Sequence, residues 1–159
     1  MNIKIICVGK IKESYIRDAI AEYSKRLSRY CKLSIVEVAD EKTPDGQSQA
    51  LDERIKNIEG ERILKSINSG DYVIACDLGG KMLDSVGLSK EIDNLGIGGY
   101  SDIDFIIGGS LGISGDVLNR ADYKLCFSKM TFPHQLMRVI LLEQIYRSYR
   151  IINNEPYHK

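Results

Sequence analysis

Tryptophan is missing, histidine occurs twice and proline only three times in 159 residues. The two histidines, His134 and His158, lie far apart, and no Ser-His-Asp arrangement or metal-ligand cluster of His, Cys, Asp and Glu presents itself. The four cysteines, Cys7, Cys31, Cys76 and Cys126, have neither CxxC nor CxH spacing. Three of them end short apolar runs. They read as small buried hydrophobes kept reduced, in preference to disulfides, zinc ligands or a nucleophile. Long apolar runs are absent too. Lys4, Lys10, Lys12 and Glu13 interrupt the N-terminal one, and the stretch from Ile3 to Val8 is too short and poorly flanked for a signal peptide. A cytoplasmic protein without a membrane partner is expected.

Net charge is the other absence, since 22 Lys and Arg balance 22 Asp and Glu. That argues against binding nucleic acid by bulk charge alone. The balance is not uniform. Residues 1–32 carry eight basic and three acidic side chains, residues 33–126 nine and seventeen, and residues 127–159 five and two. The basic ends make a local patch if they fold together, and solvated helix faces explain them equally well.

What is present is an ordinary globular composition, 43% apolar and 28% charged, at the length of one domain spanning residues 1–159. Short apolar runs alternate with helical periodicity. Strands are expected from Asn2 to Val8, Leu33 to Val38, Tyr72 to Cys76, Ile103 to Ile107 and Tyr123 to Phe127. Helices are expected from Lys12 to Arg29, Ser48 to Ile67, Ser85 to Leu95, Asp116 to Arg120 and Pro133 to Ile152. The strand runs are continuous and apolar, except the second, which alternates and so belongs nearer an edge. The fold class that follows is α/β: a mainly parallel five-stranded sheet with helices on both faces. Asp40 to Gln47 is a polar loop, and Asp77 to Lys81 a tight one.

From Leu136 to Leu142 every residue but Arg138 is apolar. A helix against one core needs only an apolar stripe, so a second buried face is expected, and with it a homodimer through this helix.

In open α/β sheets, ligands bind beyond the carboxyl ends of the strands. Three such ends stand out: Cys76 to Gly80, Gly108 to Gly112, and Phe127 to Phe132. Glycine lets a backbone approach a ligand closely. None of these is a GxGxxG fingerprint, and Gly79-Gly80-Lys81 lacks the Ser or Thr of a phosphate loop because Met82 follows. On the pattern alone, simple tight turns are the better account of the glycines. With no other reactive side chains in view, chemistry would have to come from a bound cofactor.

Ser128-Lys129-Met130-Thr131-Phe132-Pro133-His134 is followed by Arg138, Glu143-Gln144, Tyr146-Arg147 and the terminal Pro156-Tyr157-His158-Lys159. Together with Val8-Gly9-Lys10, Glu22-Tyr23, Arg26-Leu27, Glu59-Gly60, Gly80-Lys81 and Ile107-Gly108-Gly109, these closely resemble the ribosomal RNA large subunit methyltransferase H family, over essentially the whole chain. The resemblance implies a SPOUT-class methyltransferase. It implies a homodimer, a C-terminal trefoil knot and S-adenosylmethionine as cofactor. It further implies methylation at N3 of a pseudouridine in helix 69 of 23S rRNA, on the assembled 70S ribosome. Composition and periodicity would never have put a knot in play, because threaded chains are so rare.

Carried onto this sequence, the resemblance places cofactor contacts at Cys76, at Gly108 and along Phe127, Ser128, Lys129, Met130, Thr131 and Phe132, with no metal. Cys76 departs from the leucine usual in the family and makes a slightly smaller wall. For the proton on N3, the candidates are Arg138, and Tyr157 and His158 from the tail of a partner subunit. A non-catalytic ribosome-binding protein and a Rossmann-type nucleotide enzyme are the competing readings, the latter disfavoured by the missing fingerprint.

Overall fold

The computed structural model describes residues 1–159. Strands and helices alternate along them: β1 (Asn2–Val8), α1 (Ser14–Leu27), β2 (Lys32–Val38), α2 (Gln49–Leu64), β3 (Tyr72–Met82), α3 (Ser85–Ile97), β4 (Asp102–Ile107), α4 (Gly115–Arg120), β5 (Tyr123–Cys126) and α5 (His134–Ile152). The sheet order is β2-β1-β4-β3-β5 and every pairing is parallel. The expected five-stranded sheet is therefore parallel throughout, with the alternating strand, β2, on an edge.

Continuous apolar runs arise because both faces of the sheet are covered. Ile3, Ile5, Cys7, Ile103, Phe105 and Ile107 join the larger core with Met137, Leu141 and Leu142 of α5. Ile6, Val8, Val73, Ala75 and Ile106 join the smaller core with Ile63 of α2 and Val117 of α4. Each such side chain contributes about 1.5–3 kcal/mol by leaving water. One charged cluster interrupts the smaller face. Lys4 Nζ lies 2.9 Å from Asp71 and 3.1 Å from Asp104, and donates to Ser66 O at 3.0 Å. Asp104 is 1% exposed, and burial pushes its carboxyl up to about 6.

Local signals set most boundaries. Ser48, Asp84 and Ser114 cap α2, α3 and α4, each side chain accepting an N–H of the first turn. Ser48 and Pro133 are caps where the sequence placed them as the first helical residues. The third strand needs a larger correction. It continues to Met82 instead of stopping at Cys76. Cys76 and Lys81 both pair with Leu125, so residues 77–80 swing out as a wide bulge within the strand. Glycine permits this, since a Cβ on Gly80 would sit 2.6 Å from the Lys124 carbonyl.

Helix α5 packs against α1 and α3 of its own chain. Its apolar run is largely consumed there: Met137, Leu141, Leu142 and Ile145 are buried. Leu136, 39% exposed, and the half-buried Val139 and Ile140 form what remains of an outer apolar stripe. No helix is long and apolar enough to cross a membrane.

Candidate active site

The strand order sets the carboxyl ends of β4, β3 and β5 side by side, and a cavity of about 840 Å³ opens there. Its walls include Cys76, Gly108, Phe127, Ser128, Met130, Thr131 and Phe132. The three strand ends singled out in the sequence thus meet in one place. Lys129 belongs to the same loop but is exposed and does not line the cavity.

Each wall has a local cause. β5 ends one residue earlier than expected, at Cys126, which frees Phe127 from the ladder to face the cavity. Ser128 Oγ accepts the Met130 N–H at 3.0 Å and folds the following loop. Gly108 lies against the backbone of Gly112, where a Cβ would come within 2.8 Å of its carbonyl. Gly112 has φ +91°, and a Cβ there would meet nothing within 4 Å. Burial pushes the Cys76 thiol up to about 12, so it lines the cavity as a neutral group.

Glu59 underlies the same glycine turn. It is 4% exposed, accepts the Glu41 N–H at 3.0 Å, and its Oε1 lies 3.0 Å from where a Cβ on Gly109 would stand. Burial raises its carboxyl. Sequence reasoning noticed Glu59 only as part of the family resemblance. The following Gly60 was the available signal, since a Cβ there would strike Ser114 Oγ at 2.2 Å. The loop from Asp40 to Gln47 is fastened to this region through the Arg62–Glu41 ion pair and a Thr43–Ser110 hydroxyl contact.

His134 also lines the cavity, and burial together with the Arg138 charge lowers its imidazole below the usual value, against a weaker pull from Asp40. Arg138 itself does not line the cavity. It is 1% exposed, pairs with Glu37 at 2.7 Å, and donates to Val8 O at 3.0 Å and Gly9 O at 2.7 Å. Its two terminal nitrogens are thus paired inside the chain and anchor the end of β1, while its buried Nε has no partner.

Tyr157 and His158 lie elsewhere, in the tail that folds back against α5. The Tyr157 hydroxyl donates to Glu143 at 3.1 Å, its ring meets Tyr146 edge-on at 5.0 Å, and the Arg147 guanidinium stands 4.6 Å from the ring centre. Arg147 pairs with Glu143 at 2.7 Å and faces His158 Nδ1 at 3.4 Å. Burial and then the Glu143 carboxylate push the Tyr157 hydroxyl up to about 12. The tail is held down by Glu155, which takes Arg29, Arg150 and the Tyr30 hydroxyl. Glu143 and Arg147 thereby join the tail candidates. Their spacing of four on a helix was visible in the sequence, their link to Tyr157 was not.

A family model described as "Predicted SPOUT methyltransferase" matches residues 1–158. Proteins named ribosomal RNA large subunit methyltransferase H from Clostridium beijerinckii and Clostridium kluyveri are 67% and 64% identical over 159 residues, covering the whole of each chain. This chain belongs to the ribosomal RNA large subunit methyltransferase H family. Among solved structures, a Legionella pneumophila protein determined with bound SAM aligns with a TM-score of 0.51 at 9% identity, over 94% of this chain and 66% of that one. At that identity the likeness is one of fold alone.

Proposed function

We propose that this chain transfers a methyl group from S-adenosylmethionine to N3 of a pseudouridine in helix 69 of 23S rRNA, acting as a homodimer on the assembled 70S ribosome. The convergence of Cys76, Gly108 and the Phe127–Phe132 loop on one cavity carries the reading. The cavity suits the donor. Its volume of about 840 Å³ is that of a cofactor site. Ile107, Leu125, Phe127 and Phe132 give apolar walls for a planar base, and the open space beside Gly112 admits a ligand against bare backbone. The C-terminal trefoil knot of SPOUT proteins belongs to the same proposal, with the loop from Phe127 to Phe132 as part of the knotted segment.

S-adenosylmethionine supplies a methyl group already activated on sulfonium, so the protein's task is alignment and management of one proton. The N3–C bond forms as the S–C bond breaks, and the N3 proton leaves. Cys76, Gly108 and residues 127–132, Lys129 at their outer edge included, hold the donor. Tyr157 keeps its proton at neutral pH and serves as a hydrogen-bond donor to a ring carbonyl of the base, where charge develops. His158 takes the proton. Arg138 acts through its charge and through the Gly9 carbonyl it anchors.

The tail residues are absent from the cavity of their own chain. A second copy must bring them there, and the outer stripe of Leu136, Val139 and Ile140 offers an apolar contact. Lys10, Lys12 and Lys25 are exposed and form no ion pair, so they are free to meet rRNA phosphates, whereas Arg26 and Arg29 are already tied to Glu22 and Glu155. The decisive experiment maps modified nucleotides in rRNA from a strain lacking the gene. Loss of the N3 methyl on that pseudouridine is expected, and an unchanged modification would refute the assignment.

A further inference from the structure

One wall of the cavity comes from none of the strand ends. Lys56, on α2, lines it beside Ser110, Leu111 and Leu118. It is the only Lys or Arg among the lining residues, and the other basic group, His134, is held toward its neutral form by burial. The Lys56 side chain is 22% exposed. Its one partner is the Glu53 carboxylate, at 2.7 Å, and Glu53 is 54% exposed, so the pair is loosely held and exchangeable. The neighbouring turn adds donors. Gly112 N–H bonds to Gly109 O at 3.1 Å, but the N–H groups of Ser110 and Leu111 have no acceptor. The Lys56 ammonium, two amides without an acceptor in the chain and the Ser110 hydroxyl, whose one contact is Thr43 at 3.4 Å, thus belong to residues lining the same side of the cavity, a donor set suited to an anion.

Resting on the cofactor reading above, we propose that Lys56 is a specificity-determining residue that binds the carboxylate of the donor's amino-acid moiety. The chemistry of the donor leaves little choice. Its adenine and ribose are uncharged, and its sulfonium and ammonium repel a lysine. The carboxylate is its one anionic group. Glu53 stands in for that carboxylate in the chain alone, and binding exchanges one carboxylate partner for another. The arrangement also orients the ligand: the amino-acid end lies toward α2, which leaves the apolar walls of Ile107, Phe127 and Phe132 to the base.

Calorimetric titration of the full-length wild type, Lys56→Met and Lys56→Arg tests this with three ligands: S-adenosylmethionine, S-adenosylhomocysteine and decarboxylated S-adenosylmethionine. The expected result is that Lys56→Met weakens the first two by about tenfold, the scale of one charge-assisted contact. The same variant leaves the decarboxylated ligand unchanged or binds it more tightly, and Lys56→Arg restores most of the loss. Melting temperature should move little, since methionine keeps most of the buried stem of Lys56 and the pair with the exposed Glu53 contributes little. Equal losses for all three ligands, or none, would overturn the proposal while leaving the cofactor site standing. Unchanged cofactor affinities with a raised KM for ribosomes would overturn it too, and would assign Lys56 to an rRNA phosphate instead. A wild type that binds none of the three ligands would bring down the cavity reading itself.

Discussion

Around the cavity, the walls are backbone and apolar carbon: Gly108 against Gly112, the Ile107 and Phe127 side chains, a neutral Cys76 thiol. Along the outer half of α5 the opposite holds. Glu143, Arg147 and Tyr157 on one side and Glu155, Arg150 and Tyr30 on the other are each joined by ion pairs and hydrogen bonds, and the Tyr146 ring, against both Tyr157 and Tyr30, links them into one network. The first region is a shape that depends on what is missing, chiefly Cβ atoms. The second is a set of charges that depends on what is there. Substitutions should therefore act in opposite senses: added atoms damage the cavity, removed atoms damage the tail.

The sharpest break in that comparison is a truncation. Deleting Tyr157, His158 and Lys159 should reduce methylation of ribosomes by at least about a thousandfold, the scale of lost acid–base and hydrogen-bonding groups. Affinity for S-adenosylmethionine, read by calorimetry, should stay within about twofold, because those residues do not line the cavity of their own chain. Full activity in the truncated protein would remove the tail from the mechanism.

Next comes the added atom. Gly108→Val forces carbon to within 2.8 Å of the Gly112 carbonyl. Cofactor affinity should fall by about a hundredfold, while far-UV circular dichroism stays that of the wild type. Unimpaired binding would mean that the glycine turn is only a turn.

Arg138 sits between the two regions and tests which it belongs to. Arg138→Met leaves the Val8 and Gly9 carbonyls without their donor and Glu37 without its ion pair. A loss of about 2 kcal/mol is expected, seen as a melting temperature lower by about 6 °C. Loss of activity with no loss of stability would instead mark Arg138 as a residue that touches substrate.

The smallest effect lies away from both regions. Asp104 has its carboxyl raised to about 6, so the folded chain holds that proton more tightly than the unfolded one. Its contribution favours folding below the ordinary carboxylate range and declines as pH rises from about 4 to 6. Asp71, lowered in the same cluster, works in the other direction, its stabilisation lost as pH falls. Urea melts of Asp104→Asn should show a stability that changes by about 1 kcal/mol less than wild type across this window. An identical pH dependence would show that Asp104 takes up no extra proton on folding.

Much of the framework was legible before any coordinates. Strands buried on both faces read as continuous apolar runs, and the alternating run from Leu33 to Val38 belonged to the edge strand β2. The helix starts read at Ser48, Ser85 and Asp116 fall within one residue of the observed ones, although the caps Asp84 and Ser114 were not singled out. What failed at β3 failed for a definite reason. Gly79-Gly80 reads as a turn that ends a strand, and only pairing with Leu125 on both sides turns it into a bulge. Lys56 looks, in sequence, like any solvated helix residue. Glu59 looks like its neighbour, until the fold lays both beside the glycine turn.

The sequence by itself determined the α/β class, the parallel sheet and the three glycine-rich or aromatic strand ends, because local periodicity and backbone freedom are properties of neighbouring residues. Its resemblance to known methyltransferases named the chemistry. Only the tertiary structure decided that those ends share one cavity, that Arg138 is spent on Glu37 and the β1 carbonyls, and that Tyr157 folds back onto Glu143. Such contacts join residues up to 130 positions apart, as with Arg138 and Val8. No local rule specifies them, because they exist only once the sheet order has brought the strand ends together.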